Sequence, residues 1–160
     1  IDNSELVEVV DETLAPLQRE GGENPAKVVE DLRRMMQDKV GIIRTKSLLE
    51  EALKDLDELE LRSTETFGGS GTTYNPGWHQ ALEIGAMIDV SRMCALAALM
   101  REESRGGHTR DDFPTPDHSR WGNINSVIVK GDDGAMGIDY VSYPPIPEDL
   151  KSLLDEDDMN

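Results

Sequence analysis

The amino-acid sequence predicts a mainly α fold: an up-and-down bundle of three to four helices, then a C-terminal β-hairpin and an extended tail. Three observations carry this. Apolar residues recur at steps of three and four through most of the first hundred positions, the period of a helix face. Aromatic residues make up only 4% of the chain, so Leu, Val, Ile, Met and Ala must fill the core, which favours helix on helix over packed sheets. Two Asn-Pro pairs, Asn24-Pro25 and Asn75-Pro76, open periodic stretches; Asn can accept an orphan backbone N–H there, and Pro has none to waste. At 160 residues and 37% hydrophobic, the chain has material for one domain with a real core and too little for two full ones.

Residues 1–20 place Leu6, Val10, Leu14 and Leu17 on one helical face, and Gly21-Gly22 ends that element. A second helix opens at Asn24-Pro25, carries Val28, Val29, Leu32, Met35, Met36 and Val40, and stops at Gly41. A third runs from about Ser47 to Arg62 on Leu49, Ala52, Leu53, Leu56 and Leu59. Ser47 with Glu50 has the spacing of a capping box, and the outer face is strongly acidic, a solvated face. Thr64–Tyr74 is a Gly/Ser/Thr connector; its glycines follow no strand and precede no Lys, which argues against a phosphate cradle.

The long helix from Asn75 to Gly106-Gly107 organises the rest. Trp78, Leu82, Gly85, Ile88, Arg92, Leu96 and Leu99 form one face, with Leu96 expected to be buried. Ala81, Ile84, Met87, Cys94, Ala95 and Ala98 form a second. A helix apolar through more than half its circumference is central and packed on by several neighbours. The Met residues at these spacings read as core filler. Beyond Pro114, two strands flank a Gly-Asp-Asp-Gly turn, with Val127 and Val129 alternating in the first and Ile138, Tyr140 and Ser142 in the second. Pro144, Pro145 and Pro147 close the hairpin, and the acidic last ten residues are expected to fray.

The net charge of −17 excludes a nucleic-acid footprint and docking onto anionic lipid headgroups. No apolar run reaches the ~18 residues that span a bilayer, so direct membrane insertion is not expected. Cys94 stands alone, so there is neither a disulfide framework nor a ligand set for an iron–sulfur cluster, and a reducing compartment is expected. His79, His108 and His118 are separated by 29 and 10 residues, which fits no metal-ligand pattern.

Four of the ten arginines, Arg101, Arg105, Arg110 and Arg120, fall within twenty residues, together with Glu102, Glu103, His108, Asp111 and Asp112. Two readings stand. One is a catalytic constellation; the other is an ion-pair network that anchors the loop against a neighbouring domain, for which Arg is well suited. The second is preferred, since a narrow bundle end offers little concavity. The interface candidates are Arg44, Glu103, Arg105, His108, Arg110 and Asp112; Arg44 is expected to pair with an acid of the cluster or to reach another domain. No catalytic, cofactor-binding or metal residue is assigned.

The string Glu103-Ser104-Arg105-Gly106-x-His108, with Arg110-x-Asp112-Phe113-Pro114 after it, closely resembles the end of a long helix in flavoprotein subunits of succinate dehydrogenase and fumarate reductase. Met35–Leu59 resembles the family's Met-Gln-x-x-x-Gly-x-x-Arg-Thr segment and the helix that follows. The resemblance implies a C-terminal helical domain after flavin-binding and capping domains. The parent would pass electrons between succinate, FAD and a separate iron–sulfur subunit, and would lie in the cytoplasm, peripheral on the inner membrane face through other subunits. The family's flavin and dicarboxylate residues match nothing here, and no Gly-x-Gly-x-x-Gly turn occurs, so FAD is expected in the parent and no cofactor in this piece. The start at Ile1 fits a piece of something longer. The expected division is 1–114 for the bundle with its Glu-Ser-Arg-Gly-x-His loop and 115–160 for the hairpin, Pro-rich segment and acidic tail. The alternatives are the equivalent domain of L-aspartate oxidase, which shares a shorter form of the string, and a free-standing acidic helical adaptor.

Overall fold

The computed structural model describes residues 2–151 and divides into two compact units, 1–116 and 117–160. The acidic tail at 152–160 lies outside the described residues. In the first unit, helices α1 (Asn3–Gln18), α2 (Pro25–Lys39), α3 (Lys46–Ser63) and α4 (Pro76–Met100) follow one another. A two-residue parallel strand pair, β1 (Ile43–Arg44) with β2 (Thr109–Arg110), joins the α2–α3 connection to the loop after α4. Strands of two residues are too short for an alternation to signal them in sequence.

The helix starts are as their sequences dictate. Asn24 Oδ1 accepts from the Ala26 N–H, and Asn75 Oδ1 from the Trp78 N–H at 2.9 Å. For α3 the cap is Thr45, whose Oγ1 accepts from the Leu48 N–H, and not Ser47. The core joins Val28, Val29, Leu32 and Met35 of α2 to Leu49, Ala52, Leu56 and Leu59 of α3 and to Ile84, Ile88, Ala95 and Ala98 of α4. Fully burying each large aliphatic side chain contributes about 1.5–3 kcal/mol, which outweighs the weak intrinsic preference of these short helices.

Two faces of α4 need correction. The buried line is Ile84, Ile88, Ala95 and Ala98, while Leu82 and Cys94 are exposed and Leu96 is half-buried. Arg92, placed by spacing beside core residues, reaches Asp57 and Glu60 of α3 at 2.6 and 2.8 Å. Lys39 likewise meets Asp55 of α3, so part of that helix's acidic outer face is paired. α1 is also more open than its periodicity implied. Leu6 and Val10 are exposed, and the helix is seated through its second half, where the Trp78 indole N–H donates to the Thr13 carbonyl at 2.7 Å. The Gly68 N–H donates to the Pro16 carbonyl, and a Cβ at Gly68 would stand 3.0 Å from Trp78 Cα, which accounts for glycine there.

The second unit holds a short helix α5 (His118–Trp121), the antiparallel hairpin β3 (Ile124–Lys130) with β4 (Met136–Ser142), and one turn of helix α6 (Glu148–Lys151). Val127 and Val129 face Asp139 and Gly137, whereas Ile138 and Tyr140 face Ile128 and Ser126. Trp121 is buried and meets Tyr140 edge-on at 5.7 Å, with the Arg120 guanidinium 4.6 Å over its ring.

Candidate functional site

All six candidate residues converge on one end of the bundle, five in the loop that follows α4 and Arg44 in the α2–α3 connection. α4 ends because Arg101 leaves the helical conformation, and the carbonyls of its last turn then need donors. Arg110 supplies them. Its side chain is fully buried, and Nη1 donates to the carbonyls of Ala98 at 2.9 Å, Leu99 at 3.0 Å and Arg101 at 3.3 Å. The other edge of the same guanidinium donates twice to Asp112, Nε to Oδ1 and Nη2 to Oδ2, each at 2.8 Å. Its face lies 5.0 Å from the Phe113 ring. Asp112 also accepts from the Lys46 N–H at the start of α3, at 2.9 Å. Arg110 foremost holds the Asp112 pKa down to about 2.

Arg44 treats the end of α2 in the same way. Its Nε donates to the Val40 carbonyl at 3.0 Å, and its Nη1 meets His108 Nδ1 at 2.9 Å. It therefore pairs with a histidine and not with an acid of the cluster. A guanidinium only donates, so Nδ1 accepts and Nε2 carries the proton toward the Arg101 carbonyl at 3.0 Å. Burial pushes the His108 pKa down, and the neighbouring guanidiniums of Arg44, Arg110 and Arg101 add to that against the opposing Arg101 carbonyl. The ring is thus fixed as a neutral linker between two helix ends.

Glu103 is completely buried. Its Oε1 accepts from Arg101 Nε and Nη2 at 2.8 and 2.6 Å and from Arg105 Nε at 2.9 Å, and its Oε2 from Arg105 Nη2 at 3.1 Å. A buried carboxylate is tolerable only when paired and hydrogen-bonded, and two guanidiniums do both. Ser104 stitches the loop closed: its Oγ donates to the Phe113 carbonyl and accepts from the Arg110 N–H, both at 2.8 Å. Gly106 adopts φ +57°, which lets Arg105 and His108 exchange backbone hydrogen bonds at 2.8 and 3.0 Å.

The chemistry of this clasp is helix capping. Cationic side chains sit at the C-termini of α2 and α4 and an acid sits at the N-terminus of α3, each matching the local helix dipole. The bundle's cavities lie elsewhere. A groove of about 840 Å³ between α2 and α4 is lined by Leu32, Met36, Ala86, Met87 and Val90, with Arg33, Gln37, Glu83 and Ser91 beside them. A smaller one, about 360 Å³, lies among the glycine-rich turns near Asn24 and Asn75. Among the described residues, no three of His, Cys, Asp and Glu come together as metal ligands, and no helix is long and apolar enough to cross a membrane.

Two contributors escaped the sequence reading. Ser104 closes the loop through its hydroxyl, a role that nothing in its spacing signals. A second ionic clasp joins Arg62 at the end of α3 to Glu23 and Asp31, at 2.9 Å from its Nε and 2.7 Å from its Nη2, and its hydrogen bonds hold both acids below their ordinary pKa. Residues 39 and 31 positions apart carried no spacing signal.

Fold and clasp together define a helical packing module whose charges hold helix ends. The family model described as "Fumarate reductase flavoprotein C-term" matches residues 29–153. The chain belongs to that family, the C-terminal domain of the succinate dehydrogenase and fumarate reductase flavoprotein subunits. It is 37% identical over 128 residues to the fumarate reductase flavoprotein subunit of Helicobacter pylori, covering 79% of this chain and 18% of that subunit. It is 30% identical over 123 residues to the succinate dehydrogenase flavoprotein subunit of Coxiella burnetii, covering 74% of this chain and 21% of that subunit. A chain of the Mycobacterium smegmatis Sdh1 complex in the apo form superposes with a TM-score of 0.86 at 35% identity, over 99% of this chain and 27% of that one. The chain thus spans about a fifth of the length of the curated relatives it matches.

The described residues contain no strand, Gly-x-Gly-x-x-Gly turn and helix in succession, the arrangement that takes a flavin dinucleotide. Its pyrophosphate takes free N–H groups at a helix start after a parallel strand. Here the starts of α1, α2, α3 and α4 each carry their own cap, Asp2, Asn24, Thr45 and Asn75, and the parallel pair is two residues long.

Proposed function

We propose that this chain is the structural and interface part of an FAD-dependent succinate dehydrogenase or fumarate reductase flavoprotein subunit, whose flavin and dicarboxylate sites lie in the preceding polypeptide. The observation that carries the reading is the family match over residues 29–153, together with close structural agreement over nearly the whole chain. In the whole protein, two electrons pass between succinate and flavin and on to a separate iron–sulfur subunit. The subunit lies on the cytoplasmic side, peripheral to the inner membrane through other subunits.

Arg44, Glu103, Arg105, His108, Arg110 and Asp112 support an interface at this end of the bundle by fixing its shape. Ile42 and Ile43, exposed beside Arg44, and the exposed Gly106-Gly107 turn supply contact surface. The test is to purify the full-length subunit with its iron–sulfur partner and measure flavin content and succinate-dependent reduction of a dye acceptor. The 160-residue chain alone should be colourless after incubation with FAD and gel filtration. Oxidation of L-aspartate in place of succinate would move the chain to the L-aspartate oxidases, and stoichiometric yellow in the short chain would refute the assignment of roles.

A further inference from the structure

The tip of the β3–β4 hairpin combines features that the capped helices do not. Gly131-Asp132-Asp133-Gly134 turns the chain, with the Gly131 N–H donating to the Ala135 carbonyl at 2.8 Å and the Gly134 N–H to the Gly131 carbonyl at 2.9 Å. Gly134 stands at φ +83°, the left-handed residue that closes a three-residue loop. Residues 131–135 are all exposed, and a Cβ on Gly134 would meet nothing within 4 Å. Asp133 bends its carboxyl back over this turn. Its Oδ1 accepts from the Ala135 N–H at 3.0 Å and lies 2.8 Å from where a Cβ on Gly131 would stand. An Asp side chain bonded two residues on lies alongside the intervening peptide, here the one that joins Asp133 to Gly134. Among the aspartates and asparagines of the chain, Asp133 alone is followed by glycine.

We propose that Asp133-Gly134 is a self-modification site, at which the hairpin turn isomerises to isoaspartate. The Gly134 nitrogen attacks the carboxyl carbon of protonated Asp133. A new N–C bond forms, the carboxyl hydroxyl and the amide proton leave as water, and a five-membered cyclic imide results. Water then adds to one of the two imide carbonyls. Addition at the side-chain carbonyl restores aspartate. Addition at the backbone carbonyl leaves the chain running through the former side chain, with a free α-carboxylate. One water is lost and one regained, so the mass is unchanged and no co-reactant enters. Glycine puts no side chain in the way of the carboxyl, and an exposed loop tip releases the Gly134 N–H from the Gly131 carbonyl at little cost. Other aspartates lack both advantages: Asp112 is held by Arg110 and followed by Phe113, and Asp31 is held by Arg62 and followed by Leu32. The product alters the hairpin. An extra backbone methylene at position 133 breaks the turn bond between Gly131 and Gly134 and loosens the Lys130–Met136 end, while the Trp121–Tyr140 contact lies toward the other end of the ladder.

The test is to incubate the full-length subunit at physiological temperature for several weeks, at neutral and at mildly acidic pH, with a zero-time sample beside it. Trypsin should release Gly131–Lys151 as one peptide, since no Lys or Arg lies between its ends. An isomer of unchanged mass should grow in this peptide, resist endoproteinase Asp-N at position 133 and accept a methyl group from a protein isoaspartyl methyltransferase. It should form within about tenfold of its rate in a synthetic peptide of the same sequence, because loop tips open easily. It should form faster at the mildly acidic pH, because the carboxyl reacts in its protonated form. Asp133→Glu, whose longer side chain would have to close a six-membered ring, should lose the signal. Isomer in the synthetic peptide and none in the incubated subunit would overturn the inference, since the folded turn would then protect the bond. So would isomer as abundant in the zero-time sample, isomer at Asp132 or Asp139 to the same extent, or a signal that persists in Asp133→Glu.

Discussion

Arg110→Met tests whether the clasp closes the bundle end. Methionine keeps much of the apolar stem and removes the guanidinium, which has no exposure and donates to Asp112 and to three carbonyls. Breaking a buried ion pair from one side costs about 3–5 kcal/mol. Asp112 lowers that figure, because its side chain is 29% exposed and keeps the Lys46 N–H. The carbonyls of Ala98 and Leu99 raise it by about 1 kcal/mol or more, since these acceptors lose their donor, whereas the Arg101 carbonyl keeps the His108 Nε2–H. The expected loss is about 3–4 kcal/mol, or a melting point lower by about 10 °C. Urea unfolding followed by circular dichroism measures it, and a cycle with Asp112→Asn should return a coupling of at least about 1 kcal/mol. Arg105→Ala is the contrast. Its side chain is 35% exposed, and Arg101 still bonds Glu103 without it, so about 1–2 kcal/mol is expected. A loss under about 1 kcal/mol for Arg110→Met, the range of an exposed ion pair, would show that the helix ends do not depend on this side chain.

Leu56→Ala in the core should cost about 2–4 kcal/mol and Leu96→Ala, half-buried, about 1 kcal/mol; coincident urea midpoints would contradict the assignment of the α4 faces. The His108 pKa lies below its ordinary 6.5, so the unfolded chain takes the proton first as pH falls, and stability is complete above about pH 6.5 and declines below it. His108→Gln, whose amide oxygen can accept from Arg44 while its nitrogen donates to the Arg101 carbonyl, should flatten that limb, and parallel pH curves would remove His108 from the account. Asp112, held at about 2 against an ordinary 3.8, contributes stability present above pH 3.8 and lost as pH falls through 2; Asp112→Asn should abolish this lower limb in acid unfolding curves.

The bundle was legible because its signals are local. Asn24-Pro25 and Asn75-Pro76 open helices as their chemistry requires, and the apolar spacing of α2 and α3 names their buried residues. α4 was harder for a physical reason. With apolar residues on both sides, periodicity gives no single direction, so Leu82 and Cys94 could not be told from Ile84 and Ile88 without the neighbours in place. The hairpin was legible as two alternating strands about a turn, but not its pairing: a period of two does not say which residue of β4 faces Val127. The charged residues after α4 were visible as a cluster, but their partners were not. A guanidinium that caps carbonyls of Ala98 and Leu99 leaves no trace in sequence, because every residue has a carbonyl.

That inward use of charge bears on how the module meets its neighbours. Arg44, Glu103, Arg105, His108, Arg110 and Asp112 are all engaged with groups of this same unit. An interface that relied on them for binding energy would first have to take those bonds apart, at the cost of buried charge. The groups that need no such rearrangement are apolar: Ile42 and Ile43 beside the clasp, and Val90, Met93 and Met100 along α4. In a chain of net charge −17, apolar contact also escapes the self-repulsion that an acidic surface imposes on any acidic partner. The clasp therefore sets the shape of the bundle end, and the aliphatic residues around it provide the attraction. This division predicts that salt should change the stability of the clasp little, because buried pairs are screened far less than exposed ones.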